Sequence, residues 1–439
     1  MAAVRFPDTI YALSSGGLPA GVAVIRVSGT GARSALEMLA GGLPVRQRAS
    51  LRDIKSADGQ LIDRAIVLFF EGPHSLTGED VAEIHVHGGR AVVAALFGAL
   101  AGLGSRLAEP GEFMRRAFLN GRIDLLGAEA LGDLIEAQTE AQRRLAQLNA
   151  GGLQSALYDS WRTQLIAARA LIEAELDFPD EADVPGSVSD RVWVELAGLV
   201  TSMTAHIARF RTAEIVRDGY QVVIIGPPNA GKSSLLNALA NRDVAIVSDE
   251  PGTTRDLVEV SLDIGGMKVN VTDTAGLRQA TGVEAIGIGR AVERAHAADL
   301  VLLVSAVDGG NLAGFLHDGV AVLPVLSKID LSPDSGVQGV LGVSAVTGAG
   351  IDRLIELIGA EARGAGDLGG EAMPTRIRHV ALLSAALASV HKAVGSASLA
   401  LELRAEMLRS ASEDIGRVAG RVDVEDILDE VFSRFCLGK

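Results

Sequence analysis

QVVIIGPPNAGKSSLLNALA spans residues 221–240. Its first part, Val222 to Ile225, is an unbroken aliphatic run and reads as a buried strand. The run stops at Gly226, and GPPNAGKS (226–233) fits G-x-x-x-x-G-K-[ST] between that strand and a helix opening at SLLNALA. A chance glycine-rich turn would lack this strand–loop–helix setting. Glycines let backbone N–H groups wrap phosphate oxygens, and the helix N-terminus adds a favourable dipole. Lys232 is placed to neutralise β- and γ-phosphate charge, and the Ser233 hydroxyl to coordinate Mg²⁺. Asn229, Ala230, Gly231 and Ser234 complete the cradle. The Asn229 amide could also help bind a monovalent cation beside the phosphates, although Asn is equally a good turn residue.

The signals that follow arrive in a fixed order. SDEP (248–251), Ser248, Asp249, Glu250 and Pro251, leads into GTTRD (252–256), where Gly252, Thr253 and Thr254 form a switch loop and Thr254 is a second Mg²⁺ ligand. DTAG (273–276) ends a strand, with Asp273 near the metal and Thr274, Ala275 and the Gly276 amide near the γ-phosphate. SKID (327–330) supplies Lys328, and Asp330 can accept two hydrogen bonds from the N1 and N2 groups of guanine, which adenine cannot reproduce. Ser344 and Ala345 complete a base loop. The set points to GTP. Two departures stand out. Leu277 follows DTAG, where Ras-like enzymes carry a water-orienting Gln, so another device must serve. Ser327 replaces the Asn of N-K-x-D, which predicts weakened nucleotide affinity with guanine preference retained.

Around this core the chain changes texture. Residues 1–122 mix strand patterns at 21–29, 64–72 and 81–89 with helical patterns at 31–40 and 90–102, an α+β domain. From 123 the pattern is helical, broken at Gly151-Gly152 and at DFPDE (177–181), and it resumes over about 188–216. The α/β segment runs over 219–364, with a hairpin turn at Gly265-Gly266 and further strands at 299–308, 321–330 and 339–345. EARGAGDLGGEAMP (361–374) reads as a linker, and 375–435 is helical again. The expected fold is therefore multidomain: an N-terminal α+β domain, an all-α domain discontinuous over 123–218 and 365–439, and an α/β P-loop domain inserted into it.

Composition sets limits. Among 439 residues, 48% are apolar and 22% charged, an ordinary globular balance. The formal net charge of −15 argues against broad non-specific nucleic-acid binding. One cysteine forms no internal disulfide, and no basic, apolar leader or spanning apolar run is apparent, so the expected location is cytoplasmic with no membrane contact. That lone thiol, Cys436 in FSRFCLGK (432–439), is either a buried structural group or a reactive one. His85 and His87 share a strand face without a convincing third metal ligand, which favours a hydrogen-bonding role.

AGVAVIRVSG (20–29), SLTGEDVAEIHVHGG (75–89), PGEFMRRAFLNGRIDL (110–125), DFPDE, the central G motifs and the terminal C-x-G-K occur in one order along the whole chain. As a set they resemble the MnmE (TrmE) family of tRNA-modification GTPases. The resemblance implies a homodimeric, K⁺-stimulated GTPase. With an FAD- and NADH-dependent MnmG-type partner, in a heterotetramer, it would add a carboxymethylaminomethyl-type group to C5 of the wobble uridine (U34) of certain tRNAs. A tetrahydrofolate derivative, 5-formyl or 5,10-methylene, would carry the one-carbon unit. By position, K⁺ would be held by Asn229, Ser248, Glu250 and Thr253, and water would be oriented by Glu284, which taken alone reads as a solvated charge. Folate would meet Arg26, Glu83, Arg122 and Lys439, and Cys436 would take part in catalysis. The alternatives are a ribosome-assembly or regulatory GTPase switch without coupled tRNA chemistry, and a one-carbon enzyme carrying a regulatory G domain.

Overall fold

The computed structural model describes residues 6–177, 188–246, 259–273, 297–306, 320–332, 340–422, 428, 431–433, 435 and 438. It separates into two compact units. The first takes in Met1–Gly132, Tyr158–Thr163 and Ser412–Lys439, the second Asp133–Leu157 and Gln164–Ala411.

The first unit contains β1 (Ile10–Leu13), β2 (Ala20–Ser28), α1 (Ala32–Ala40), β3 (Ser50–Lys55), β4 (Leu61–Phe70), β5 (Val81–Gly88), α2 (Arg90–Gly102), β6 (Arg106–Leu107), α3 (Glu112–Leu119) and most of α4 (Leu125–Glu136). Its strands form one sheet in the order β3-β4-β5-β2-β1-β6, antiparallel except for the β1–β6 pair. Alternation decides the two faces. Ala23, Ile25 and Val27 of β2 join Ala82, Ile84 and Val86 of β5 under Leu36 of α1 and Leu96 and Leu100 of α2. The intervening residues of these strands, Arg26 and Glu83 among them, therefore face the other side. There Ile10 and Ala12 pack with Phe113 of α3. Farther along, Leu428 and Phe432 pack with Met114, Leu125 and Ala128, so these two residues belong to this unit's core.

The second unit begins with helices. Thr139 and Gln142 form a capping box that opens α5 (Glu140–Ala150), and Gly152 at φ +80° breaks the chain before α6 (Leu153–Asp177). The periodic stretch expected over 188–216 divides into α7 (Val188–Ala208) and α8 (Phe210–Asp218) at Arg209. The Arg209 guanidinium is drawn off to the Leu368 carbonyl at 2.7 Å and to Glu371, anchoring the break from outside both helices. There follow β7 (Tyr220–Ile225), α9 (Lys232–Ala240), β8 (Glu259–Ile264), β9 (Met267–Asp273), β10 (Leu300–Ala306), β11 (Ala321–Ser327), β12 (Leu341–Gly342), α10 (Ile351–Ala365), α11 (Ile377–Gly395) and the part of α12 (Leu401–Val418) up to Ala411. The sheet order is β12-β11-β10-β7-β9-β8, parallel except for the β8–β9 hairpin, which turns at Gly265-Gly266 as its sequence implied.

One boundary differs from expectation. Helix α10 extends to Ala365, so the first residues of the glycine-rich 361–374 stretch are helical. Ile358 and Ala362 continue the buried stripe of Ile351 and Leu354, and that apolar face outweighs the penalty of Gly364. Among the described residues, no helix is long and apolar enough to cross a membrane.

Candidate functional site

The phosphate loop lies where β7 delivers it. Gly226 is pressed against β10: a Cβ there would come within 2.0 Å of the Val304 carbonyl oxygen, so no side chain fits. Asn229 adopts a left-handed conformation at φ +62°, which Asn tolerates, and Gly231 at φ +83° opens α9. The turn role of Asn229 is thus visible in the backbone. Lys232 is buried, and its ammonium donates to the carbonyls of Gly226 at 3.0 Å and Pro227 at 2.9 Å, which places its charge inside the loop. Ser233 donates to Asp273 Oδ2 at 2.5 Å. A hydroxyl beside a carboxylate is an all-oxygen, hard donor set, and it suits Mg²⁺. With the metal bound, these oxygens would hold it against the β- and γ-phosphates.

The guanine segment converges on the same loop. The Ser327 hydroxyl lies 2.6 Å from the Ala230 carbonyl and 3.0 Å from that of Ser305, and its single proton serves one at a time. The Ser327 side chain, though shorter than Asn, thus reaches the backbone of the phosphate loop. Lys328, in the left-handed region at φ +60°, brings its Cε to 3.7 Å from where a Gly231 Cβ would sit, so its stem lies along the loop. Asp330 Oδ1 accepts from the buried Ser344 hydroxyl at 2.6 Å, and Ala345 follows, half-buried. Ser234 is exposed on the first turn of α9. Ser248, Asp249, Glu250, Pro251, Gly252, Thr253, Thr254, Thr274, Ala275, Gly276, Leu277 and Glu284 lie outside the described residues.

A second cluster lies in the first unit. Arg26 on β2 and Glu83 on β5 are direct partners in the strand register. Arg26 Nε and Nη2 each lie 3.0 Å from Glu83 Oε1. The guanidinium also sits 5.7 Å from the centre of the Phe113 ring, within reach of a cation–π attraction. Glu83 Oε2 lies 3.5 Å from His85 Nε2, and His87 Nδ1 meets Asp63 Oδ1 at 2.9 Å. Both histidines are thus hydrogen-bonded, and no group of three metal-ligating side chains occurs among the described residues. Arg122 differs from Arg26. It is exposed after α3, with its stem against Gly78, and its side chain has no hydrogen-bond or ion-pair partner among the described residues. A guanidinium without a partner among the described residues and an Arg–Glu pair of which each side chain is 19% exposed fit a ligand with an acidic tail and a hydrogen-bonding ring edge, as a reduced folate has.

The chain end reaches this cluster. The Gly438 carbonyl accepts from the Ser14 hydroxyl at 2.8 Å and from Arg26 Nη1 at 3.4 Å. Sequence reading missed Ser14, which carries no local signal: its partner is 424 residues away. Cys436 and Lys439 themselves lie outside the described residues.

Comparisons with known proteins cover nearly the whole chain. The family model described as "GTP-binding protein TrmE N-terminus" matches residues 9–122, and that of the "MnmE helical domain" matches residues 125–436. A protein named tRNA modification GTPase MnmE from Chelativorans sp. (strain BNC1) is 54% identical over 435 residues, covering 98% of each chain. One of the same name from Mesorhizobium japonicum is 53% identical, covering 98% of this chain and 99% of its own. A third, from Brucella canis, is 51% identical and covers 99% of each. With this identity along nearly its whole length, the chain belongs to the MnmE family.

Proposed function

We propose that this chain is the GTP-hydrolysing component of tRNA wobble-uridine modification. It binds GTP with Mg²⁺ on the 226–233 loop, reads guanine through Asp330, and uses a reduced folate at the Arg26–Glu83 cluster. The observation that carries the reading is the presence on one family chain of a phosphate loop braced by Ser327 and of an Arg26–Glu83 pair joined by the chain end. A ribosome-assembly switch would have no use for the second cluster.

Within this reading the chain has three domains: 1–122, a helical domain of 123–218 and 365–439, and a G domain of 219–364. Thr254 joins Ser233 on Mg²⁺. K⁺ is held by Asn229 with Ser248, Glu250 and Thr253, and supplies positive charge near the leaving group. Glu284 polarises the attacking water, the role left open by Leu277. Arg122 takes the acidic tail of the folate, Lys439 and Cys436 stand by its one-carbon unit, and an FAD/NADH protein of MnmG type joins a homodimer of this chain on tRNA.

The test is GTP turnover by the purified chain in K⁺ and in Na⁺ buffer, for wild type and Glu284→Ala. The reading expects K⁺ stimulation and roughly a hundredfold loss in the variant, the scale of a lost water-positioning group. Turnover near wild type in Glu284→Ala would reject that residue's role, and absence of GTP hydrolysis in either salt would reject the whole.

A further inference from the structure

We propose that Ser14 is a positioning residue for the tRNA chemistry: its hydroxyl, with Arg26, latches the carbonyl of the Gly438–Lys439 peptide bond onto the end of β1.

Four observations carry this. The Gly438 carbonyl oxygen accepts two hydrogen bonds, from Ser14 Oγ at 2.8 Å and from Arg26 Nη1 at 3.4 Å. Gly438 is buried and adopts φ +92°, and a Cβ there would stand 2.1 Å from the Leu13 carbonyl oxygen, so backbone lies directly on backbone. Ser14 is itself pinned, since its amide donates to the Val24 carbonyl at 2.8 Å while Ser15 Oγ accepts from the Val24 amide at 3.1 Å. Finally, Phe432 and Phe435 fasten the preceding segment onto Met114, Leu125 and Ala128.

The consequence follows from peptide geometry. The carbonyl that Ser14 holds is bonded to the amide nitrogen of Lys439, and the peptide unit is planar. Fixing that oxygen fixes the plane of the Gly438–Lys439 peptide. The latch also alters the role of Arg26. Its Nε and Nη2 are committed to Glu83 and its Nη1 to Gly438, so it orders the tail and the carboxylate together. Recognition of an anionic ligand falls to Arg122. Ser14 touches no reacting atom in this account; it acts through the tail.

The inference rests on the folate reading of this cluster, and its test separates the two. Cys436 is the only cysteine in the sequence, so alkylation of the full-length protein by iodoacetamide reports on the tail alone. Ser14→Ala is expected to change the alkylation rate by about fivefold, the factor one hydrogen bond supports. Ser14→Thr, which keeps the hydroxyl, restores the wild-type rate. In reconstituted modification with the MnmG-type partner, Ser14→Ala lowers kcat with KM for tRNA unchanged, while GTP hydrolysis stays at the wild-type rate and reports an intact fold. Wild-type alkylation and kcat in Ser14→Ala would overturn the proposal, as would a Ser14→Thr variant that behaves like Ser14→Ala. If instead the wild-type protein fails to bind folate or to modify tRNA, the functional reading fails, and the alkylation contrast still decides the latch.

Discussion

Ser327 braces the phosphate loop across 97 residues of chain, with its hydroxyl 2.6 Å from the Ala230 carbonyl. The side chain is 4% exposed, so solvent does not replace this contact when it is removed. Ser327→Ala deletes a buried donor worth about 1 kcal/mol net. The expected outcome is a GDP dissociation constant raised about fivefold, measured by titration of a fluorescent GDP analogue, with no change in the preference over ADP. An unchanged constant would show that the loop holds its shape without Ser327.

Asp330 has a different duty. Its Oδ1 is held by Ser344 at 2.6 Å, while the residue itself is exposed. In the proposed function, a carboxylate there accepts from the N1 and N2 donors of guanine. Asp330→Asn presents an amide that pairs with the O2 of xanthine instead. Affinity for GTP is expected to drop roughly a hundredfold and that for xanthosine triphosphate to rise, because a mispaired polar group in a recognition site is costly. Competition against labelled GTP reads both, and a variant that still prefers GTP would remove Asp330 from the base contact.

The two arginines of the N-terminal cluster separate by experiment. Arg122 has no side-chain partner to lose among the described residues, so Arg122→Ala is expected to weaken folate binding about tenfold with the melting temperature unchanged. Arg26→Ala strips Glu83 of its ion pair and Gly438 of a donor, so it is expected to lower the melting temperature as well as the affinity. Calorimetric titration with 5-formyltetrahydrofolate alongside thermal melts distinguishes them. Equal melting shifts in the two variants would contradict the division.

A pH effect follows from His206. This ring ends α7, is 6% exposed, and hydrogen-bonds the backbone of Ala372 in the segment joining α10 to α11. Burial, and then the charge of His379, push its pKa down from 6.5 to about 4. The folded state therefore binds fewer protons than the unfolded state between these values. Stability from the neutral ring is complete above about pH 6.5 and is lost as pH falls toward 4. The loss approaches ~3 kcal/mol at the acid end. Urea unfolding at pH 7 and pH 4.5 should show a smaller difference in His206→Gln than in wild type, and an identical pH dependence would contradict the assignment.

The parts legible in the sequence are those whose partners lie close together in the chain. The strand–loop–helix of 221–240 and the Gly265-Gly266 hairpin each spell their own geometry within a few turns, and they appear as read. Strands β1 and β3 were not legible: IYAL is short, and SLRDIK buries only Ile54, so neither shows a sustained alternation. The end of α10 was hidden because glycines mark linkers by composition, while the decisive fact is that Ala362 is buried. Arg26 and Glu83 were named through the family pattern, whereas their register pairing, and the commitment of Arg26 to the chain end, depend on contacts 57 and 412 residues apart. The contact of Ser327 with the phosphate loop was not legible, because it depends on the Ala230 carbonyl 97 residues away.

The central claim is that GTP hydrolysis on the 226–233 loop serves modification of the wobble uridine. The most direct measurement is nucleoside analysis of tRNA from a strain deleted for this chain and complemented with wild type or with Asp330→Asn. The account predicts unmodified C5 at the wobble uridine in the deletion strain, full restoration by wild type, and little restoration by Asp330→Asn. Wobble uridines fully modified in the deletion strain would contradict it.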